Sequence, residues 1–310
     1  MVYTLTANPS LDYIMNVPRL VAGETNRSKR ERIVAGGKGL NVALVLKDFG
    51  VPVKAFGMIA GFTGEEWLRQ ASSQVDVEVI RLEEGETRIN VKVAGVEETE
   101  VNASGPTVPL ENRAQFEKML DQLDYGDVLV ISGNAGPGFP ADSYGLLMDY
   151  LEGKNVKIIV DATGEQMRNA LSRRPYLIKP NIEELKDIAN TCVESEEDVI
   201  GCCERLIRMG AQNVLVSAGA NGALWVGGDG RVFQIGAPPG RVKNTVGSGD
   251  AMVAAFLYGE LQNMDIVDCV KLAVAAGSAG AFSEGLPTRE DTLKIVDSLE
   301  VRVIAGMIEL

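Results

Sequence analysis

Short apolar runs alternate with helix-length amphipathic runs along nearly the whole chain, and that alternation leaves few folds open. Strand-like runs lie at 2–6 (VYTLT), 53–59, 127–132, 156–160, 176–179 and 213–217, and most are apolar with little interruption. A strand that is apolar on both faces must be covered on both, as in a parallel sheet sandwiched between helices. Helical periodicity places helices at 38–49, 63–74, 109–123, 141–152, 181–190, 196–209, 250–261, 265–283 and 288–299. Thr63 with Glu66, and Thr288 with Asp291, have the spacing of capping boxes. The expected class is α/β, with a mostly parallel sheet, in one domain spanning 1–310.

One stretch stands out against the pattern. Residues 88–94 (RINVKVA) alternate with period two, so Arg88, Asn90 and Lys92 share one face while Ile89, Val91 and Val93 share the other. With 97–102, 11–17 and 28–34 this strand is expected to form a small second sheet, a lid on the α/β body.

The chain of 310 residues contains no histidine, which removes Ser-His-Asp and Cys-His catalysis and histidine-ligated metal sites. A general base must come from Asp, Glu, Lys, Tyr or Cys. The formal net charge of −13 argues against nucleic acid or an anionic membrane as partner, so an anionic ligand needs local positive charge. Cys192, Cys202, Cys203 and Cys269 form no C-x-x-C pair and are expected as free thiols, without zinc. No stretch approaches the roughly 18 apolar residues of a membrane span, and the first residues lack a leader pattern. The expected location is cytoplasmic.

Several glycine-rich turns fall where a strand meets a helix. Gly36-Gly37-Lys38-Gly39-Leu40-Asn41 opens the helix at 38, where backbone amides and the Lys38 charge suit an anion; a tight turn with an exposed lysine is the alternative. It matches neither the P-loop nor the dinucleotide-binding fingerprint. Arg88, and the 27–32 run RSKRER, are either partners for such an anion or a solvated face. In Lys179-Pro180-Asn181-Ile182-Glu183-Glu184, Asn181 and Glu184 have capping-box spacing, while Glu184 also suits a hydrated Mg²⁺. Ser217-Ala218-Gly219-Ala220-Asn221-Gly222 ends a strand as either a β-turn or a nucleotide loop. Gly247-Ser248-Gly249-Asp250 precedes a long apolar run, so Asp250 reads as a helix cap, or as a base beside an anion nest made by the two glycines.

Taken in order, Asn8-Pro9-Ser10-Leu11-Asp12, Gly36 to Asn41, Thr87-Arg88-Ile89-Asn90-Val91-Lys92, Lys179-Pro180-Asn181 and Asn244-Thr245-Val246-Gly247-Ser248-Gly249-Asp250 resemble the PfkB (ribokinase-like) sugar kinases over nearly the whole chain. The resemblance implies a ribokinase-like three-layer α/β sandwich with a β-sheet lid, ATP with Mg²⁺, and a phosphorylated ketohexose as acceptor. It implies Asp250 as base and the amides of Gly247, Ser248 and Gly249 as anion hole. Asp12, Gly37, Lys38, Asn41 and Arg88 look like the sugar-phosphate site, with Lys38 and Arg88 nearest the phosphate. Lys179, Asn181, Ser217, Ala218, Gly219, Ala220, Asn221 and Gly222, with Gly249 and Asp250, look like the ATP side, Glu184 like the Mg²⁺ contact through water, and Ala276-Gly277-Ser278 like the adenine neighbourhood.

The 87–92 segment is more like that of the fructose enzymes than of the tagatose 6-phosphate enzymes, so the expected reaction is phosphorylation of D-fructose 1-phosphate at its 6-hydroxyl. A non-catalytic sugar-phosphate sensor is the reading from another class, opposed by the intact Gly-Ser-Gly-Asp. The sequence departs from the family at Ser132-Gly133-Asn134-Ala135-Gly136-Pro137 and at Asp161-Ala162-Thr163-Gly164, where Ser-Gly-Ser-Leu-Pro and Asp-Ser-Ser-Gly are common. Asn134 bears on sugar identity. A lid-to-lid homodimer is the expected assembly.

Overall fold

A computed structural model describes residues 1–95 and 99–306. Ten strands form the main sheet: β1 (Val2–Thr6), β4 (Val53–Ala60), β5 (Asp76–Leu82), β8 (Val128–Ser132), β9 (Lys157–Asp161), β10 (Leu177–Ile178), β11 (Asn213–Ser217), β12 (Ala223–Gly227), β13 (Val232–Ile235) and β14 (Val301–Ala305). Their order is β14-β13-β12-β11-β10-β9-β8-β1-β4-β5. From β5 to β11 all neighbours are parallel, and β11 to β14 run antiparallel.

The alternation of side chains along each central strand divides the interior in two. Val2, Val128, Val130 and Ile159 face one core, which α1 (Lys38–Asp48), α2 (Gly61–Ser72), α8 (Ser248–Leu261) and α9 (Ile266–Ala281) cover. Tyr3, Leu5, Leu129, Ile131 and Val160 face the other, under α3 (Leu110–Met119), α4 (Ser143–Tyr150), α5 (Gly164–Leu171), α6 (Ile182–Ala189) and α7 (Glu196–Met209). Both faces of the central strands are therefore dry, as the uninterrupted apolar runs require. A last helix, α10 (Arg289–Val296), packs beside α9. No helix among the described residues is long and apolar enough to cross a membrane.

A second sheet of four strands has the order β3-β2-β6-β7, from β2 (Ser10–Asn16), β3 (Arg30–Gly36), β6 (Arg88–Ala94) and β7 (Thr99–Val101). It takes in the segments expected near 11–17, 28–34 and 88–94. Of the strand expected at 97–102, residues 97 and 98 lie outside the described residues, and the observed strand ends at Val101.

Local expectations fail in places for identifiable reasons. The helix expected from Thr63 begins at Gly61, with Ala60 as its N-cap, and the Thr63 hydroxyl donates to Glu86 Oε2 at 2.9 Å instead of capping. Thr288 does cap α10, accepting from the Asp291 amide. The helix expected over 109–123 gives way after Met119 to a single 3-10 turn. Helix α5 and strands β5, β12, β13 and β14 add to the elements expected from the sequence.

The start of α1 is clamped onto the end of β1. A Cβ on Gly39 would lie 2.5 Å from the Leu5 carbonyl oxygen, and the Leu40 amide donates to Thr6 Oγ1 at 3.0 Å. Gly39→Ala must therefore displace backbone in the core, and is expected to cost at least about 2 kcal/mol. Thermal unfolding checks this as a drop in Tm of a few degrees.

Candidate active site

The parallel strands β1, β8, β9, β10 and β11 point their C-terminal ends at one region, the usual ligand side of such a sheet. Asp161 closes β9, Lys179 follows β10, and Asn181 pairs with Ser217 at the end of β11. Lys38 and Asn41 come from the first turn of α1, and Asp250 comes from the first turn of α8. Residues distant in sequence thus meet because five strands end together.

The N-cap of α8 is Gly247, with φ of +80°, so Asp250 is the third residue inside the helix and does not cap it. The glycine accounts for the turn that a capping aspartate was expected to make. Asp250 is 5% exposed, and its Oδ2 accepts from Asn41 Nδ2 at 2.7 Å. Burial raises its carboxyl to about 6, with the Asp161 charge adding to the rise. Lys38, the Asn41 hydrogen bond and Lys179 pull the other way. A carboxylate raised to about 6 is mostly ionised near neutral pH yet more basic than an ordinary aspartate, which suits it to taking up a proton.

Asp161 was not singled out from the sequence as a site residue. It is 1% exposed, with Lys38 Nζ at 3.4 Å from Oδ2 and Lys179 Nζ at 3.5 Å from Oδ1. Neither oxygen accepts a well-formed hydrogen bond, so the contacts are ion pairs. Burial alone would raise this carboxyl, but Lys179 and Lys38 together hold it below the usual aspartate value. Asp161 in turn keeps Lys38 above the ordinary lysine value against the effect of burial, with help from Asp250 and Glu184. A carboxylate ending an apolar strand at the ligand side is the sequence signal for Asp161.

Glu184 joins the same group, 3.9 Å from Lys38 Nζ. It also completes the capping box of α6: Asn181 Oδ1 accepts from the Glu184 amide at 2.8 Å, and Glu184 Oε2 accepts from the Asn181 amide at 2.9 Å. The structural reading of that pair therefore holds, and it leaves Oε1 free of hydrogen bonds among the described residues.

At the anion-nest end, a Cβ on Gly249 would lie 3.0 Å from Lys179 Nζ, which brings the α8 amides beside an ammonium group. Buried Ser248 Oγ has no hydrogen-bond partner. The 217–222 turn forms a 3-10 turn over Gly219–Asn221 that is exposed to solvent. Ala276 and Gly277 are buried in α9, where a Cβ on Gly277 would meet Met252 Cγ at 2.7 Å.

A cleft of about 790 Å³ opens between the second sheet, α1 and the loops at 241–246 and 284–286, lined by Asp12, Asn41, Lys92, Arg32, Arg241 and Lys243 among others. Asp12 is 8% exposed and accepts from Ser10 Oγ at 2.8 Å, Asn90 Nδ2 at 3.1 Å and Lys92 Nζ at 2.8 Å. Gly37, with φ of +133°, lets α1 begin beside Thr6. Arg88 Nε and Nη1 donate to the carbonyls of Asn8 and Ala103 at 3.2 and 3.3 Å. Burial lowers its guanidinium from the ordinary value, with Asp12 opposing. Asn134 is exposed, and its Oδ1 accepts from the Gly136 amide at 2.7 Å. A smaller cleft of about 590 Å³ beside Arg174 and Asn213 holds none of these groups.

A three-layer α/β body with a separate four-stranded sheet is the ribokinase-like fold. The model described as pfkB family carbohydrate kinase matches residues 5–292, and the chain belongs to that family. It is 36% identical over 304 residues to the 1-phosphofructokinase of Bacillus subtilis, covering 97% of this chain and 99% of that one. It is 34% identical over 291 residues to the D-tagatose-1-phosphate kinase of Bacillus licheniformis, covering 92% and 94%. The structure of Escherichia coli phosphofructokinase-2 in complex with substrates and products superposes with a TM-score of 0.91 at 30% identity, covering 96% and 98%. The protein is a phosphotransferase of this carbohydrate kinase family.

Proposed function

We propose that this protein transfers the terminal phosphoryl group of ATP to the 6-hydroxyl of D-fructose 1-phosphate, giving fructose 1,6-bisphosphate. The observation that carries the reading is Asp250: a buried carboxyl, raised to about 6, in the first turn of α8 and held by Asn41 at 2.7 Å. Its ionised form accepts the proton of the acceptor hydroxyl as the oxygen attacks phosphorus. Asn41 occupies Oδ2, which leaves Oδ1 to take the proton. The amides of Gly247, Ser248 and Gly249 hold the charge that builds on the transferring group, with the ammonium groups of Lys38 and Lys179. Asp12, Gly37 and Arg88 belong to the sugar-phosphate side, and Asn181 with Ser217, Ala218, Gly219, Ala220, Asn221 and Gly222 to the ATP side.

The donor set fits a hydrated Mg²⁺. Glu184 offers one carboxylate oxygen, and the described residues hold no cluster of three or more metal-ligating side chains. Such a site takes most of its ligands from water and phosphate oxygens. When bound, Mg²⁺ neutralises charge on the phosphate oxygens.

The relative named for tagatose 1-phosphate favours a second reading, in which the acceptor differs from fructose 1-phosphate in stereochemistry at C4 while the 6-hydroxyl remains the nucleophile. A coupled ADP-release assay with fructose 1-phosphate, fructose 6-phosphate, tagatose 1-phosphate and tagatose 6-phosphate decides. The highest kcat/KM is expected for fructose 1-phosphate, and a preference for any other member of the panel overturns the choice of sugar.

Asp250 also sets a pH dependence. Because its carboxyl is raised to about 6, the base form is lost as pH falls through that value. Below it, kcat/KM is expected to drop about tenfold per pH unit. An acid limb at the ordinary aspartate value would remove Asp250 from the role of base.

A lid-to-lid homodimer is the assembly we propose, and the outer face of the lid supports it. Ile33, Tyr13, Val91 and Val101 stand in register across β3, β2, β6 and β7, and Ile33 and Val101 are 51% and 63% exposed. A second copy meeting this row covers it, so light scattering is expected to give a dimer mass, and a monomer mass refutes the assembly.

A further inference from the structure

Asp161 stands outside the proton transfer, yet it is the most deeply buried charge in the site, at 1% exposure. Its two oxygens engage two different lysines, Lys38 from α1 and Lys179 beyond β10, at nearly equal distances of 3.4 and 3.5 Å. The backbone beneath it is fixed, since Asp161 pairs with Ser132 in β8 and its carbonyl accepts from the Gly133 amide at 2.9 Å. Lys179 Nζ in turn lies against Gly249, in the first turn of α8.

A buried ion pair is seldom retained for stability, because apolar residues of similar size fill the same space at no greater cost. Two flexible lysine side chains, however, lose much entropy when they must be held at one point. A carboxylate anchored at a strand end between them meets that cost in the folded state, before any substrate arrives. We propose that Asp161 is a positioning residue that yokes Lys38 and Lys179 into one preset clamp for the transferring phosphoryl group. The inference rests on the phosphoryl-transfer reading above.

The test uses the full chain with Asp161→Asn and Asp161→Glu, assayed with whichever sugar phosphate the wild type prefers. Asp161→Asn is expected to lower kcat at least about 10²-fold while KM for the sugar phosphate stays within about threefold. Asp161→Glu keeps the charge but shifts it, and is expected to lose about tenfold, less than the asparagine variant. In the background of Lys179→Ala, Asp161→Asn is expected to add less than about threefold, because the two changes break one unit.

A further readout separates positioning from bulk destabilisation. Asp250 faces Asp161, Lys38, Lys179 and Asn41, and Asp161 is the neighbour that raises it. Without that charge the acid limb of kcat/KM moves to lower pH. Unchanged kcat in Asp161→Asn, or a full multiplicative loss on top of Lys179→Ala with an unmoved limb, overturns the proposal. If Asp161→Asn shows no cooperative unfolding transition, Asp161→Glu decides: wild-type kcat in that variant overturns it. A wild type that phosphorylates no member of the sugar panel sinks the proposed function instead.

Discussion

Asp250→Asn lowers kcat by at least about 10²-fold while leaving ATP binding in place, the loss expected when a general base becomes an amide of nearly the same shape. Single-turnover measurement with the preferred sugar phosphate, alongside calorimetric binding of ATP, checks both halves. Near-normal kcat would reduce Asp250 to a buried helix residue. The same substitution is expected to stabilise the fold at alkaline pH. The folded protein holds this carboxyl near 6, above the unfolded value of about 3.8, so folding favours its protonated form. That contribution is present below pH 4 and is lost as pH rises through 6. At pH 8 the ionised carboxylate therefore costs about 2–3 kcal/mol, which asparagine avoids. Tm of the variant should exceed that of the wild type at pH 8, and the gap should close towards pH 4. A variant that is both inactive and less stable at pH 8 would point to damaged packing.

Strands β1, β8, β9 and β11 declare themselves because burial on both faces requires unbroken apolar runs. Elements α5 and β13 do not, since they are short, and β14 does not because it is the exposed edge of the main sheet. The cap expected at Thr63 fails because its hydroxyl finds Glu86, a partner supplied by the tertiary fold. Asp250 was ambiguous for a similar reason. In sequence it is a carboxylate near a helix start; what distinguishes it is Asn41 and Asp161, which arrive through α1 and β9. The alternation in 88–94 correctly predicts a half-exposed strand, and its polar face turns Asn90 and Lys92 towards Asp12. Local spacing therefore locates turns and strands, whereas the chemistry of a residue depends on neighbours that only strand order brings near.

Lys38→Ala is expected to lower kcat at least about 10²-fold and to change KM for the sugar phosphate by less than about threefold. Sequence placed Lys38 with Arg88 beside the substrate's own phosphate, which would instead predict a KM effect. Lys38 lies among the carboxylates of the proposed site, 3.4 Å from Asp161 and 3.9 Å from Glu184. Arg88 meanwhile binds backbone carbonyls at the lid. A positive charge in that position stabilises charge that develops during transfer, so its loss falls on the rate. It also lowers the Asp250 carboxyl, and removing it should move the acid limb of kcat/KM above pH 6. Asp161→Asn is expected to move the same limb downwards. Opposite shifts in the two variants follow only if Asp250 titrates under both charges; general loosening of the site would relieve its burial and move both limbs down.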